Sequence, residues 1–290
     1  MNRKLIKQGG GGGLTIYVPK KWVDRLGLNA GDELSVSEEG TKLILEPDTI
    51  TKSDSIEIDV SKIPAMSLRF ALASAYWNGY EIIKLHSTEK FSFIEMNRLI
   101  ESFIGLVITD QSDHQIIIRN TTSNKFEEVD RLINKMFITI KYMFSKIIEE
   151  FPLKKLNASE INELSRSVIK LGNYVHRLIF MTNFGKGKTY EYSVLVFISK
   201  KLSRSLTFLA TNTNKSKINE THKYLIEVSE SFNEVYLAFS KKDVELAVGV
   251  HEKIVEEREK VFRQQKTDMV FGTMLDHMFS LSARVISLLL

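Results

Sequence analysis

No cysteine occurs among the 290 residues, so disulfides, thiolate metal sites and cysteine nucleophiles are excluded, and a reducing interior is compatible. The basic start has no apolar core of seven residues behind it, so no secretory signal is expected. No apolar run approaches the length of a membrane span, and a cytoplasmic protein without membrane insertion is expected. His-Glu-x-x-His, a nucleophile elbow and a dinucleotide fingerprint are all missing. The formal net charge of +4 is too mild to argue for nucleic acid alone. These absences point away from an enzyme. What is present is local: residues 1–25 hold Arg3, Lys4, Lys7, Lys20, Lys21 and Arg25 against one acid, Asp24.

Behind that charge lies the sharpest pattern in the chain. A five-glycine run fills residues 9–13 and is not followed by the Lys-Ser/Thr of a nucleotide-cradling loop. Leu14, Ile16 and Val18 alternate as a strand, and Pro19 is suited to open a short helix through Leu26. Gly31 suits a tight turn at residues 29–32. Leu34 with Val36 and Leu43 with Leu45 then alternate on either side of Glu39-Gly40, which predicts a hairpin. The order is β-α-β-β, and some 47 residues are too few to close a good core alone. Trp22 is expected to anchor what core there is.

With its basic start Arg3-Lys4, Gly-Leu-Thr-Ile leading into Val18-Pro19-Lys20, Leu26-Gly27-Leu28 and Gly31-Asp32-Glu33-Leu34, this segment resembles the swapped-hairpin DNA-binding domain of the AbrB/MazE/SpoVT family. The glycine run is longer than the one or two glycines usual there. The resemblance implies that two chains exchange strands into one dimer with a basic face toward DNA. Arg3, Lys4, Lys7, Lys20, Lys21 and Arg25 are the implied DNA-binding residues, and phosphate neutralisation would make their binding salt-sensitive.

Three domains are expected: residues 1–48, residues 55–121 and residues 125–290, with a polar linker after the first. The middle stretch predicts βαβαββ, with a strand at Ile56, Ile58 and Val60 and a helix from Pro64 that Gly79 stops. A strand at residues 80–85, a helix at 93–103 and a closing pair at 105–109 and 115–119 follow. The Trp77-Asn78-Gly79-Tyr80 corner resembles that of archaeal phosphate-uptake regulators. Asp110, Asp113 and His114 fall in one turn; a polar hairpin loop accounts for them better than a metal site.

From Phe126 onward apolar residues step by three and four. They run through Val129, Ile133, Met136, Ile140, Met143 and Ile147, then Ile161, Leu164, Val168, Leu171, Val175 and Leu178, then Leu225, Val228, Phe232, Val235 and Phe239. Breaks at Pro152, Gly185 with Gly187, residues 212–216 and residues 240–243 give six helices, arranged three and three. That all-α body resembles the PhoU family. Some members place acids around an arginine in the third helix of each half and hold metal there. Arg204 and Arg284 stand here, but Ser203 and Ala283 occupy the acidic positions, so no metal ligand and no cofactor is carried over. His222, His251 and His277 lack the glutamate three residues earlier that a di-metal bundle needs. The charged face of residues 252–263 is read as solvated, with docking on a partner as the other use.

The resemblances together imply a multidomain DNA-binding regulator of phosphate uptake, homodimeric through its N-terminus, whose PhoU-like domain relays phosphate status. The alternative is an adaptor that does not bind DNA but docks on and restrains a phosphate ABC transporter or its signalling partner.

Overall fold

The computed structural model describes residues 5–7, 14–26, 28–39, 42–47, 55–122, 129–150, 152, 156–182, 187–212, 218–264 and 269–290. The chain forms two compact units, Met1–Asp54 and Ser55–Leu290. The first is small and β-rich and the second mainly helical.

In the first unit, β1 (Ile6–Lys7) pairs antiparallel with β2 (Leu14–Thr15), and α1 (Lys20–Leu26) follows. β2 is shorter than the alternation to Val18 predicts. β3 (Leu34–Glu39) and β4 (Lys42–Pro47) form an antiparallel hairpin in which Val36 faces Leu45 and Glu38 faces Leu43. That register puts Leu34, Val36, Leu43 and Leu45 on one face. Gly31 adopts φ 103° in the turn before β3, where Asn29 N–H donates to Asp32 Oδ2 at 2.7 Å. The glycine run, Gly27, Gly40 and the linker at 48–54 lie outside the described residues.

The second unit opens with β5 (Ser55–Asp59), α2 (Ala65–Trp77), β6 (Ile82–His86), α3 (Phe93–Ile100), β7 (Leu106–Gln111) and β8 (Gln115–Asn120). The four strands lie in the order β5-β6-β8-β7, with β5 and β6 parallel and the other pairs antiparallel. The βαβαββ pattern thus holds. α3 ends at Ile100 rather than 103, and β7 starts and ends later than the alternation indicates, with a bulge between Ile108 and Asp110. Ile83 and Leu85 of β6 pair with Ile118 and Ile116 of β8, and all four are fully buried.

Six long helices follow: α4 (Val129–Glu150), α5 (Ala158–Thr182), α6 (Thr189–Asn212), α7 (Ile218–Lys241), α8 (Val244–Gln264) and α9 (Met269–Leu289). α4, α5 and α6 touch pairwise, as do α7, α8 and α9, and the groups meet along α6–α9 and α4–α7. The predicted stripe of α4, Val129 through Ile147, is buried throughout, and Phe137 and Phe144 pack on Phe232 of α7 with centroids 5.6 and 5.5 Å apart. Each such side chain contributes about 1.5–3 kcal/mol of hydrophobic stabilisation. α7 runs on to Lys241, past the turn expected at 240. The bend to α8 needs only Lys242, at φ 55°, and Asp243, whose carboxylate caps α8 by accepting from Leu246 N–H at 3.0 Å. Gly185, residues 213–216 and Phe126 lie outside the described residues.

One buried arginine ties the sheet module to the helices. Arg177 of α5 donates to the carbonyls of Tyr76 (2.7 Å), Tyr80 (3.2 Å) and Gly79 (3.3 Å) and to Glu81 at 2.5 Å. These carbonyls close the C-terminus of α2, where the helix dipole favours a cation. Gly79 takes φ 86°, and a Cβ there would press on Met181 at 3.0 Å. The Trp77-to-Tyr80 corner is therefore the socket that receives Arg177.

Candidate nucleic-acid interface

The cationic residues of the first unit fall on two elements. Lys7 stands on β1 opposite Leu14 and is exposed. Lys20 and Lys21 are the first two residues of α1, also exposed, while Trp22 and Val23 behind them are half-buried. Trp22 and Val23 N–H both donate to the Pro19 carbonyl, at 2.8 and 3.2 Å, which fixes the start of the helix. No acid lies in the first turn. A helix start favours carboxylates, so two lysines there do not serve helix stability. Among the described residues no carboxylate lies within ion-pairing distance of Lys7, Lys20 or Lys21. Arg25 belongs to α1, and Arg3 and Lys4 lie outside the described residues.

The apolar residues of this unit are not covered. Leu5, Ile6, Leu14, Ile16, Tyr17, Val36 and Leu43 are all exposed, and among the residues of this unit whose burial is described none is buried. Trp22, the expected core anchor, reaches only half-burial. The described part of one copy has the pattern for a core and leaves much of it uncovered.

The candidate histidines each have a separate partner. His222 Nε2 meets the Ile148 carbonyl at 2.9 Å, His251 Nδ1 meets Ser282 Oγ at 2.8 Å, and His277 Nδ1 meets Ser205 Oγ at 3.4 Å. Burial holds His251 and His277 below the ordinary imidazole range. Asp113 pairs with Lys90 at 2.6 Å, and His114 Nδ1 meets the Ser87 carbonyl at 3.1 Å, which makes that turn a hydrogen-bonded hairpin loop. Ser203, at the position of the expected acid, is fully buried and bonded to Ser165 across α5 and α6 at 3.1 Å.

The second unit also contains a cleft of about 950 Å³, walled by α2, α3, α5 and α6 and by the loop between β6 and α3. Six basic side chains line it, Arg69, Lys90, Arg98, Arg166, Lys200 and Arg204, against two acids, Glu89 and Glu95. At its floor the Lys200 ammonium lies 3.1 Å from Asn173 Oδ1, 3.3 Å from His176 Nδ1 and 5.0 Å from the centre of the Trp77 ring. Gly172 makes that path possible: a Cβ there would stand 2.8 Å from Lys200 Cδ. Burial, reinforced by Arg204, pushes the Lys200 ammonium down to about 7. Burial, with Lys200 second, pushes His176 down to about 3, so it is neutral. Sequence reasoning passed over this cluster because its members are scattered from α2 to α6. The available signal was Lys200, a basic residue at a core position of a helix whose neighbouring turns are apolar.

Set beside known proteins, residues 10–58 match the family described as "Antidote-toxin recognition MazE, bacterial antitoxin". No curated protein and no solved structure matches the chain. The match spans the whole of α1, β3 and β4, the elements that present Lys20 and Lys21 and leave Val36 and Leu43 bare. The N-terminus of this chain carries a MazE/AbrB-like domain.

Proposed function

We propose that the protein is a transcriptional regulator rather than an enzyme. In this reading it is a cytoplasmic homodimer whose MazE/AbrB-like unit binds duplex DNA through Lys7, Lys20, Lys21, Arg25 and the preceding Arg3 and Lys4. The observation that carries the reading is the exposed apolar set of that unit, together with lysines that have no carboxylate partner among the described residues. Burying such side chains is worth about 1.5–3 kcal/mol each, and a second copy of the same surface is the simplest cover. Dimerisation doubles every cation, and each phosphate neutralised releases counterions.

The finer reading is phosphate homeostasis, with a PhoU-like helical body as the relay. It rests on the grouping of the six helices by threes and on the Trp77-to-Tyr80 corner. The test is a binding titration of the full chain on duplexes from its own upstream DNA across a salt series, followed by mapping of the genomic sites it occupies. Affinity should fall linearly with salt on a logarithmic plot, by about 0.9 per phosphate contact, and occupied sites should lie at phosphate-uptake genes. Absence of any salt-dependent binding would favour the adaptor that restrains a phosphate transporter. The family match also favours a second reading, recognition of a partner protein by the N-terminal unit, which a small protein co-purifying in fixed ratio would support.

A further inference from the structure

The cleft of the second unit has the chemistry of a ligand site that DNA binding does not use. Arg69 comes from α2, Lys200 and Arg204 from consecutive turns of α6, and all three line one concavity. Among the described residues none of the three has a carboxylate within ion-pairing distance, whereas Lys90 and Arg166 at the rim are paired with Asp113 and Glu163. Lys200 is almost fully buried, and its neighbours are neutral: an amide, a neutral imidazole and an indole ring. A buried cation without a counter-charge is costly. Here the cost is compounded: after burial itself, Arg204 weakens the hold of Lys200 on its proton, and Arg69 weakens that of Arg204. A structure that concentrates like charges in a hollow has left room for the opposite charge.

The rest of the wall narrows the ligand. Phe70, Phe197 and Phe208 stand exposed around the cleft, and Trp77 lines it with a buried Nε1–H that has no partner among the described residues. Two guanidiniums and an ammonium are the donor set that phosphate oxygens take. A hollow of about 950 Å³ matches sites for drug-sized molecules, far larger than a bare oxyanion fills.

We propose that this cleft binds a small phosphomonoester, its phosphate held by Arg69, Lys200 and Arg204 and its organic part packed on the aromatic wall. Binding would relieve the repulsion among the three cations and join α2 of the sheet module to α6 of the helical body. The site stands or falls separately from DNA binding.

The test is calorimetric titration of the full-length protein with 5′-AMP, glucose 6-phosphate, inorganic phosphate and adenosine, with melting temperature as a second readout. At least one ester should bind in the micromolar range and raise the melting temperature. Inorganic phosphate should bind at least tenfold more weakly than that ester, and adenosine not at all. Arg204→Met and Lys200→Met should weaken ester binding at least tenfold. Arg69→Met, at an exposed position, should do so without altering the unliganded melt. The proposal is overturned if neither ester binds at millimolar concentration, if inorganic phosphate binds as tightly as the ester, or if the three variants bind like the parent chain. Retained ester binding by a protein that ignores DNA would sink the regulator and leave the site standing.

Discussion

In the first unit Leu14, Ile16, Val36 and Leu43 are between 42% and 60% exposed, whereas Ile133, Met136, Ile140, Met143 and Ile147 of α4 are at 1% or less. Both sets sit at the spacing their secondary structure demands. The difference is the size of the unit: α4 packs on α5, α6 and α7, whereas beside the hairpin the described residues of the first unit form a helix of seven residues and one pair of two-residue strands. Correct patterning that stays exposed leaves an apolar face open to another molecule. Charge differs as well: Lys7, Lys20 and Lys21 of the first unit lie exposed at the surface, whereas the second unit buries the ammonium of Lys200 among neutral neighbours.

The largest effect should come from spoiling the uncovered face. Val36→Asp with Leu43→Asp costs little if that face meets water, since both side chains are already exposed. If it is an interface, light scattering should show a monomer and DNA affinity should fall by about 100-fold or more. The melt of the helical unit should stay put. A dimer that survives the double change breaks the comparison.

Next comes Arg177→Met, which removes the charge shared by Glu81 and three α2-end carbonyls. Loss of a buried charge partner costs about 3–5 kcal/mol, and partly exposed Glu81 places the expected loss near the lower bound. Denaturant unfolding reads it directly. An unchanged midpoint would mean that the socket at Gly79 contributes nothing to joining module and bundle.

Lys200→Met should act in the other direction. The folded-state value near 7 lies below the unfolded value of 10.5, so the folded chain holds fewer protons between them and its stability rises with pH across that window. The penalty for charging Lys200 is complete below about 7. The variant should therefore be more stable than the parent at pH 6, by about 1–2 kcal/mol after loss of the hydrogen bonds to Asn173 and His176. The gain should vanish toward pH 10. A gain independent of pH would assign it to packing rather than charge. Smallest of all, Lys20→Ala and Lys21→Ala should leave fold and dimer intact while each lowers the salt slope of DNA binding by about one per site.

The parts legible in the sequence were those with a local period or a local stop. The α4 stripe, the alternation of Ile83 with Leu85, and Gly79 as the end of α2 all follow from neighbours within a few residues. The β-α-β-β segment was legible for the same reason, and its match at residues 10–58 extends that reading. The Arg177 socket was not, since its partners lie about a hundred residues earlier and nothing in a helical stripe marks which arginine turns inward. The cleft was hidden similarly, with Arg69 and Arg204 looking from the sequence like ordinary solvated charges.

Gly172 carries one more consequence. The Lys200 stem crosses α5 at the point where that helix has only a hydrogen to offer, so the spacing of the two helices and the height of the ammonium are one variable. A side chain at position 172 would have to push that stem aside or part the two helices, and because α6 also packs along α9 of the other three-helix group, parting them would disturb the seam between the two groups.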